Sequence, residues 1–163
     1  MTEKNEQVAP MIAIQAQFIK DISFEAPHVP LIFTQIKSNP DINVNVDVNA
    51  TKLQENVFEV VLKLKAEAKV KINAENKEEE KTAFLCEVAY GCLATINVAP
   101  EAVEPVLLIE IPRLLFPFAR NIIGDLTRES GFPPLMINPI DFAGLYQQRL
   151  AQIQKEKENA TIN

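Results

Sequence analysis

From Ile42 to Asn49 apolar and polar residues alternate without a break, Ile42, Val44, Val46 and Val48 against Asn43, Asn45, Asp47 and Asn49. Successive side chains of a strand point to opposite faces, so period two marks a strand with one dry and one wet face. Three further stretches share that period. In the first, Ile12, Ile14, Ala16, Phe18, Ile22 and Phe24 fall on even positions and Gln15, Gln17, Asp21, Ser23 and Glu25 on odd ones, while Ile19 and Lys20 break the phase and point to a β-bulge. Another runs from Val57 to Ile72, with Phe58, Val60, Leu62, Leu64, Ala66, Ala68, Val70 and Ile72 on one face and Glu59, Lys63, Lys65, Glu67, Lys69 and Lys71 on the other. The last puts Phe84, Cys86, Val88, Tyr90, Cys92, Ala94 and Ile96 inward. The charged run from Asn73 to Lys81 between them reads as a solvated hairpin tip. Four such strands without a helix-length segment between them make an antiparallel sheet wet on one side, and the class is α+β.

What covers the dry side must come later in the chain. After Glu104 the period becomes helical: Pro112 suits a helix start, Leu114, Leu115, Phe116, Phe118, Ala119, Ile122, Ile123 and Leu126 follow, and Gly131 reads as a left-handed cap. These apolar positions span roughly 200° of the helix, about twice what one sheet contact needs. A partner subunit is the preferred cover for the surplus, with Leu115, Phe118, Ile122, Ile123 and Leu126 as interface candidates. The alternative is a deeply buried helix with the C-terminal segment as its lid. Asp141 follows Pro139 as the expected N-cap of a final helix carrying Phe142, Leu145, Tyr146, Leu150 and Ile153 on one side. Residues 1–10 and 154–163 are expected to be flexible tails around a single domain, residues 11–153.

Catalytic chemistry has little to work with. His28 lies between Pro27 and Pro30 and reads as part of a rigid turn, and no serine sits in a nucleophile elbow. The four glycines form no phosphate loop, and Cys86 and Cys92 have no zinc-ligand spacing. No catalytic residue, metal or cofactor is therefore expected. A net charge of −6, without a cluster of Lys and Arg, argues against nucleic acid. Thr2 to Gln7 does not resemble a signal peptide, and Val106 to Ile109 is stopped by Glu110, so a cytoplasmic chain without membrane insertion is expected.

Several strings go further: Lys20-Asp21-Ile22-Ser23-Phe24-Glu25-Ala26-Pro27, Phe58-Glu59-Val60, Phe84-Leu85-Cys86-Glu87-Val88, Leu115-Phe116-Pro117-Phe118-Ala119-Arg120, Gly131-Phe132-Pro133-Pro134-Leu135, and Pro139-Ile140-Asp141-Phe142 with Leu145-Tyr146. In this order, over about residues 12 to 150, they resemble the SecB family of bacterial protein-export chaperones. The resemblance implies a four-stranded antiparallel sheet with helices on one face. It also implies a homotetramer built as a dimer of dimers, and ATP-independent holding of unfolded secretory preproteins for delivery to the ATPase SecA. The family's SecA-contact positions fall on Asp21, Glu25, Leu85 and Glu87, all on the face that alternation assigns to solvent. A holdase also needs aromatic surface for extended clients, for which Phe33, Phe132, Phe142 and Tyr146 are the candidates. The chain departs from the family in its longer charged tip and around Tyr90 to Ala94, where the family is richer in glycine; no residue of the C-terminal tail is carried over. The alternative function is a small-molecule-binding α+β module without chaperone activity.

Overall fold

A computed structural model of the chain describes residues 11–74 and 77–161. The alternating stretches form one antiparallel sheet of four strands, β1 (Met11–Glu25), β2 (Asp41–Gln54), β3 (Val57–Ala74) and β4 (Lys77–Asn97), in the spatial order β1-β4-β3-β2. The long β3–β4 hairpin is thus the centre, and β1 and β2 are the edges. On the inward face Val60, Leu62, Leu64, Ala66, Cys86, Val88, Cys92 and Ala94 are completely or almost completely buried. A short helix, α1 (Ile32–Gln35), lies in the β1–β2 connection, where the backbone carbonyl of the exposed His28 accepts the Ile32 N–H. His28 is a turn residue.

The edge strand β1 departs from simple alternation twice. Its register against β4 shifts at Gln15 as well as at Lys20, so the residues between have the opposite phase from those on either side. Ala16 and Phe18, expected inward, therefore lie on the outer face, and Gln17 and Ile19 turn toward the helices. Gln17 is paired with the buried Cys92 and accepts a hydrogen bond from the Tyr90 hydroxyl at 3.3 Å. Phe18 lies against Gly91, where a Cβ would come 2.9 Å from its ring, so this glycine makes room for an aromatic on the neighbouring strand.

The hairpin tip also differs from expectation. Pairing continues through Lys69–Thr82, Lys71–Glu80 and Asn73–Glu78, so most of the charged run is strand. Cross-strand charges hold it, with Lys69 to Glu80 at 3.6 Å and Lys71 to Glu78 at 3.4 Å. Val70 and Ile72 on the reverse side are buried in the same cluster as Ile32, Phe132 and Ile137. Residues 75–76 at the tip, and the expected tail at 1–10, lie outside the described residues.

Helix begins earlier than the prolines suggested. It opens at α2 (Pro100–Pro105), passes through a π turn at Val106–Glu110 and continues as α3 (Ile111–Glu129). Pro112 is thus interior. Lacking an N–H, and with a ring that crowds the carbonyl four residues back, it is accommodated by a widened turn in which the Ile111 N–H donates to the Val106 carbonyl. Gly131, at φ 86°, closes α3 as expected: its N–H donates to Arg128 and that of Phe132 to Thr127. Asp141 caps α4 (Phe142–Thr161), its carboxylate accepting the Gly144 N–H at 3.0 Å. The α4 helix runs on beyond Ile153, through exposed residues of the stretch expected to be a tail.

Thr127, fully buried, ties α3 to the 131–140 segment. Its hydroxyl donates into α3, at 2.9 Å from the Ile123 carbonyl and 3.0 Å from that of Gly124, and accepts the Leu135 N–H at 2.9 Å. Thr127→Val keeps the shape but strands that N–H. Chemical denaturation should show a loss of about 1–3 kcal/mol, with Thr127→Ser closer to the parent.

Candidate functional site

The inward and outward faces of the sheet carry different candidate sites. On the outer face the register aligns residues in rows across the strands: Glu25, Leu85, Glu67 and Asn43; then Ser23, Glu87, Lys65 and Asn45; then Asp21, Ala89, Lys63 and Asp47. Asp21, Glu25, Leu85 and Glu87, the positions implied by the family resemblance, therefore share one face of two adjacent strands. Asp21 and Glu25 are exposed and Leu85 and Glu87 half-buried. Leu85 sits between Glu25 and Glu67, an apolar point among carboxylates. Cations adjoin this acidic cluster. Lys65 bridges Glu87 at 2.8 Å, and its ammonium is held above the ordinary lysine range, chiefly by its hydrogen bond to Glu87 and that group's charge and less by Glu67 and Glu25. Lys20, next to Asp21 in the bulge, instead reaches Glu59 on β3 at 2.7 and 2.8 Å.

On the inward side the four client-groove candidates divide between two places. Phe33 and Phe132 lie 5.0 Å apart by ring centroids, Phe132 and Phe84 5.2 Å, and Phe84 and Phe24 5.6 Å. The result is a run of four aromatics from the sheet to the surface, ending at Phe33, which is 42% exposed. Gly131 permits it, since a Cβ there would meet the Phe33 ring at 3.1 Å. Phe24 and Phe84 were not singled out from the sequence, although alternation already turned both inward. Phe142 is a core residue, 2% exposed, with its ring 6.2 Å from that of Phe116. Tyr146 is half-buried on a depression of about 350 Å³ with Val46, Val48, Leu108 and Arg149, whose guanidinium donates to the Val48 carbonyl at 3.3 Å.

The five interface candidates divide as well. Leu115 and Ile123 are fully covered by the chain's own core, because α3 lies across β3 and β4 with that stripe facing the sheet. Ile122 and Leu126 are half-buried, and Phe118 is 49% exposed, beside Leu114 at 51%. One flank of the wide apolar helix is thus under the chain's own 131–140 segment, where Gly124 faces Leu135 and Met136, and the other is open. The open flank continues onto β1, whose Ile12, Ile19 and Ile22 are 40–50% exposed. A groove of about 620 Å³ runs between them, with Tyr90 stacked on Phe118 at 5.9 Å.

Among the described residues no cluster of His, Cys, Asp and Glu could hold a metal ion, and no helix is long and apolar enough to cross a membrane. Cys86 and Cys92 face the core, and burial pushes each thiol from 9.0 up to about 11. Both keep their protons at neutral pH and are poor nucleophiles.

The family model described as "Preprotein translocase subunit SecB" matches residues 5–153. A protein of Rhodospirillum rubrum named protein-export protein SecB is 50% identical over 157 residues, covering 95% of this chain and 92% of the relative. The protein of that name from Granulibacter bethesdensis is 46% identical over 153 residues, covering 92% and 88%. Among solved structures, the Mycobacterium tuberculosis SecB-like chaperone Rv1957, in complex with a ChAD peptide from the antitoxin HigA1, superposes with a TM-score of 0.60 at 12% identity, over 80% of this chain and 90% of that one. That likeness gives the fold.

The thiol environments predict an alkaline weakness. The unfolded chain releases these protons near pH 9 while the folded chain holds them to about pH 11, so ionisation favours unfolding and stability should fall as pH rises through that window. Denaturation midpoints against pH should show the decline, and Cys86→Ala with Cys92→Ala should flatten it.

Proposed function

The chain belongs to the SecB family, and from that premise we propose that it is an ATP-independent export chaperone of the cytoplasm. In this reading it binds unfolded secretory preproteins as a homotetramer, keeps them competent for translocation and delivers them to SecA. No enzymatic step and no cofactor enters. The family match over residues 5–153, together with relatives at 46–50% identity that bear the name protein-export protein SecB, carries the reading.

Each half of the activity has a surface that suits it. Holding an unfolded chain calls for apolar contact without a strict sequence code. The aromatic run ending at Phe33, and the separate depression beside Tyr146, can take side chains of an extended client. Both adjoin apolar residues of the inward sheet face, and β2, as an edge, has backbone groups free of any neighbouring strand for pairing. Phe132 and Phe142 form walls more than contacts, given their burial. For assembly, the open strip of Ile12, Ile19, Ile22, Leu114 and Phe118 is a large apolar area for one chain to leave in water, and a second copy is the proposed cover. For delivery, Asp21, Glu25 and Glu87 around Leu85 form an acidic patch on the opposite side of the sheet, so client and SecA need not compete for one surface. Long-range attraction of a basic partner to such a patch raises its association rate.

The chain should suppress aggregation of an unfolded secretory precursor without nucleotide, and an absence of suppression at equimolar subunit would contradict the reading. Asp21→Lys with Glu87→Lys should weaken SecA binding at least about tenfold and leave precursor holding unchanged. Undiminished SecA binding in that variant would remove the docking assignment.

A further inference from the structure

Resting on the SecA reading above, one feature of the outer face points to how that patch takes its partner. Ala89, the smallest side chain in its neighbourhood, lines a depression of about 410 Å³ together with the charged residues Asp21, Asp47, Glu87, Lys20, Lys63 and Lys65. In the register Asp21 is directly across from Ala89, and Glu87 precedes Ala89 by two residues on β4. The two carboxylates therefore flank the depression diagonally, about 7–8 Å apart at their backbones, a span one cationic side chain can bridge.

The three lysines are not equivalent: Lys63 stands in register between Ala89 and Asp47, a further carboxylate of the same lining. Lys20 is engaged by both oxygens of Glu59. Lys65 is paired in register with Glu87 and occupies it at 2.8 Å, the two side chains being 48% and 44% exposed. Such a half-exposed bridge is weak and exchangeable. It neutralises one of the two carboxylates that an incoming cation would use.

We propose that the depression over Ala89 receives a lysine or arginine side chain of the docking partner between Asp21 and Glu87, and that Lys65 is the internal cation it displaces. Lys65 thereby sets the affinity of the patch: it weakens docking and discriminates against partners too weakly basic to compete for Glu87. Exchange of one cation for another also keeps Glu87 paired in both states, so that release of the partner leaves no bare carboxylate behind.

The full chain carrying Lys65→Gln, Glu87→Gln or both is titrated with SecA by calorimetry at low ionic strength. Lys65→Gln should bind about two- to five-fold tighter, the range that the worth of an exposed ion pair converts to, and Glu87→Gln should bind more weakly. In the Glu87→Gln background Lys65→Gln should change nothing, because the competition has lost its object. Unchanged or weaker binding by the single Lys65→Gln variant overturns the proposal. So does an equal gain in both backgrounds, which would mark a general field effect and not competition for one carboxylate. Unaltered binding by Glu87→Gln alone would overturn the docking reading itself, which separates the two failures.

Discussion

One continuous helical segment from Pro100 to Glu129 has to cover the dry face of a four-stranded sheet, and it lies mainly across the two central strands, its π turn reaching β2 while much of β1 is left open. Everything else in the chain follows from that shortage. Where β3 and β4 lie beneath α3, the sheet side chains are buried almost without exception; where β1 extends past it, isoleucines stand 40–50% exposed. The π turn belongs to the same problem. It lets a helix containing Pro112 continue without a break, so that Leu107, Ile111, Leu115, Ala119 and Ile123 keep to one core-facing stripe. Proline and sheet contact are thus reconciled within a single rod.

The proposed function gives the two sheet faces separate duties. The inward side exposes apolar surface at its margins, the β1 edge being the proposed seat of a second copy and the surroundings of Phe33 and Tyr146 the proposed seat of clients. The outward side is polar but not uniformly so: carboxylates cluster on β1 and β4, while Lys63, Lys65, Lys69 and Lys71 line β3. Opposite signs on adjacent strands stabilise the ladder locally, and exposed bridges of this kind are weak enough to yield to a partner. Ala89 and Gly91, both small, open low points in that charged surface, one between carboxylates and one beneath Phe18.

Much of this was legible in the residues themselves, since period two depends only on which side of a strand meets water. It identified all four strands, and the caps Gly131 and Asp141 were readable because each has a specific chemistry. The readings that failed share a cause. A second bulge at Gln15, added to that at Lys20, makes β1 reverse phase twice, which no local pattern reveals because Ala16 and Phe18 remain apolar on either face. Strand pairing through the charged tip depends on matched lysines and glutamates across the hairpin, a property of two segments together. Leu115 and Ile123 could not be told from Phe118 by helical period alone, because a stripe of about 200° does not say which half meets the chain's own sheet. For the outer patch, the four residues came from family resemblance, whereas Lys65 came into view only with the register.

In the proposed homotetramer the open β1 and α3 surface lies inside the assembly. Light scattering on the purified chain across a range of concentrations measures this most directly. The mass should be near four times the 18.2 kDa of one chain and should fall on replacement of Ile19 and Phe118 by aspartate while the secondary structure is retained. A stable species of 18.2 kDa at all concentrations, with those two side chains replaceable at no effect on mass, would contradict it.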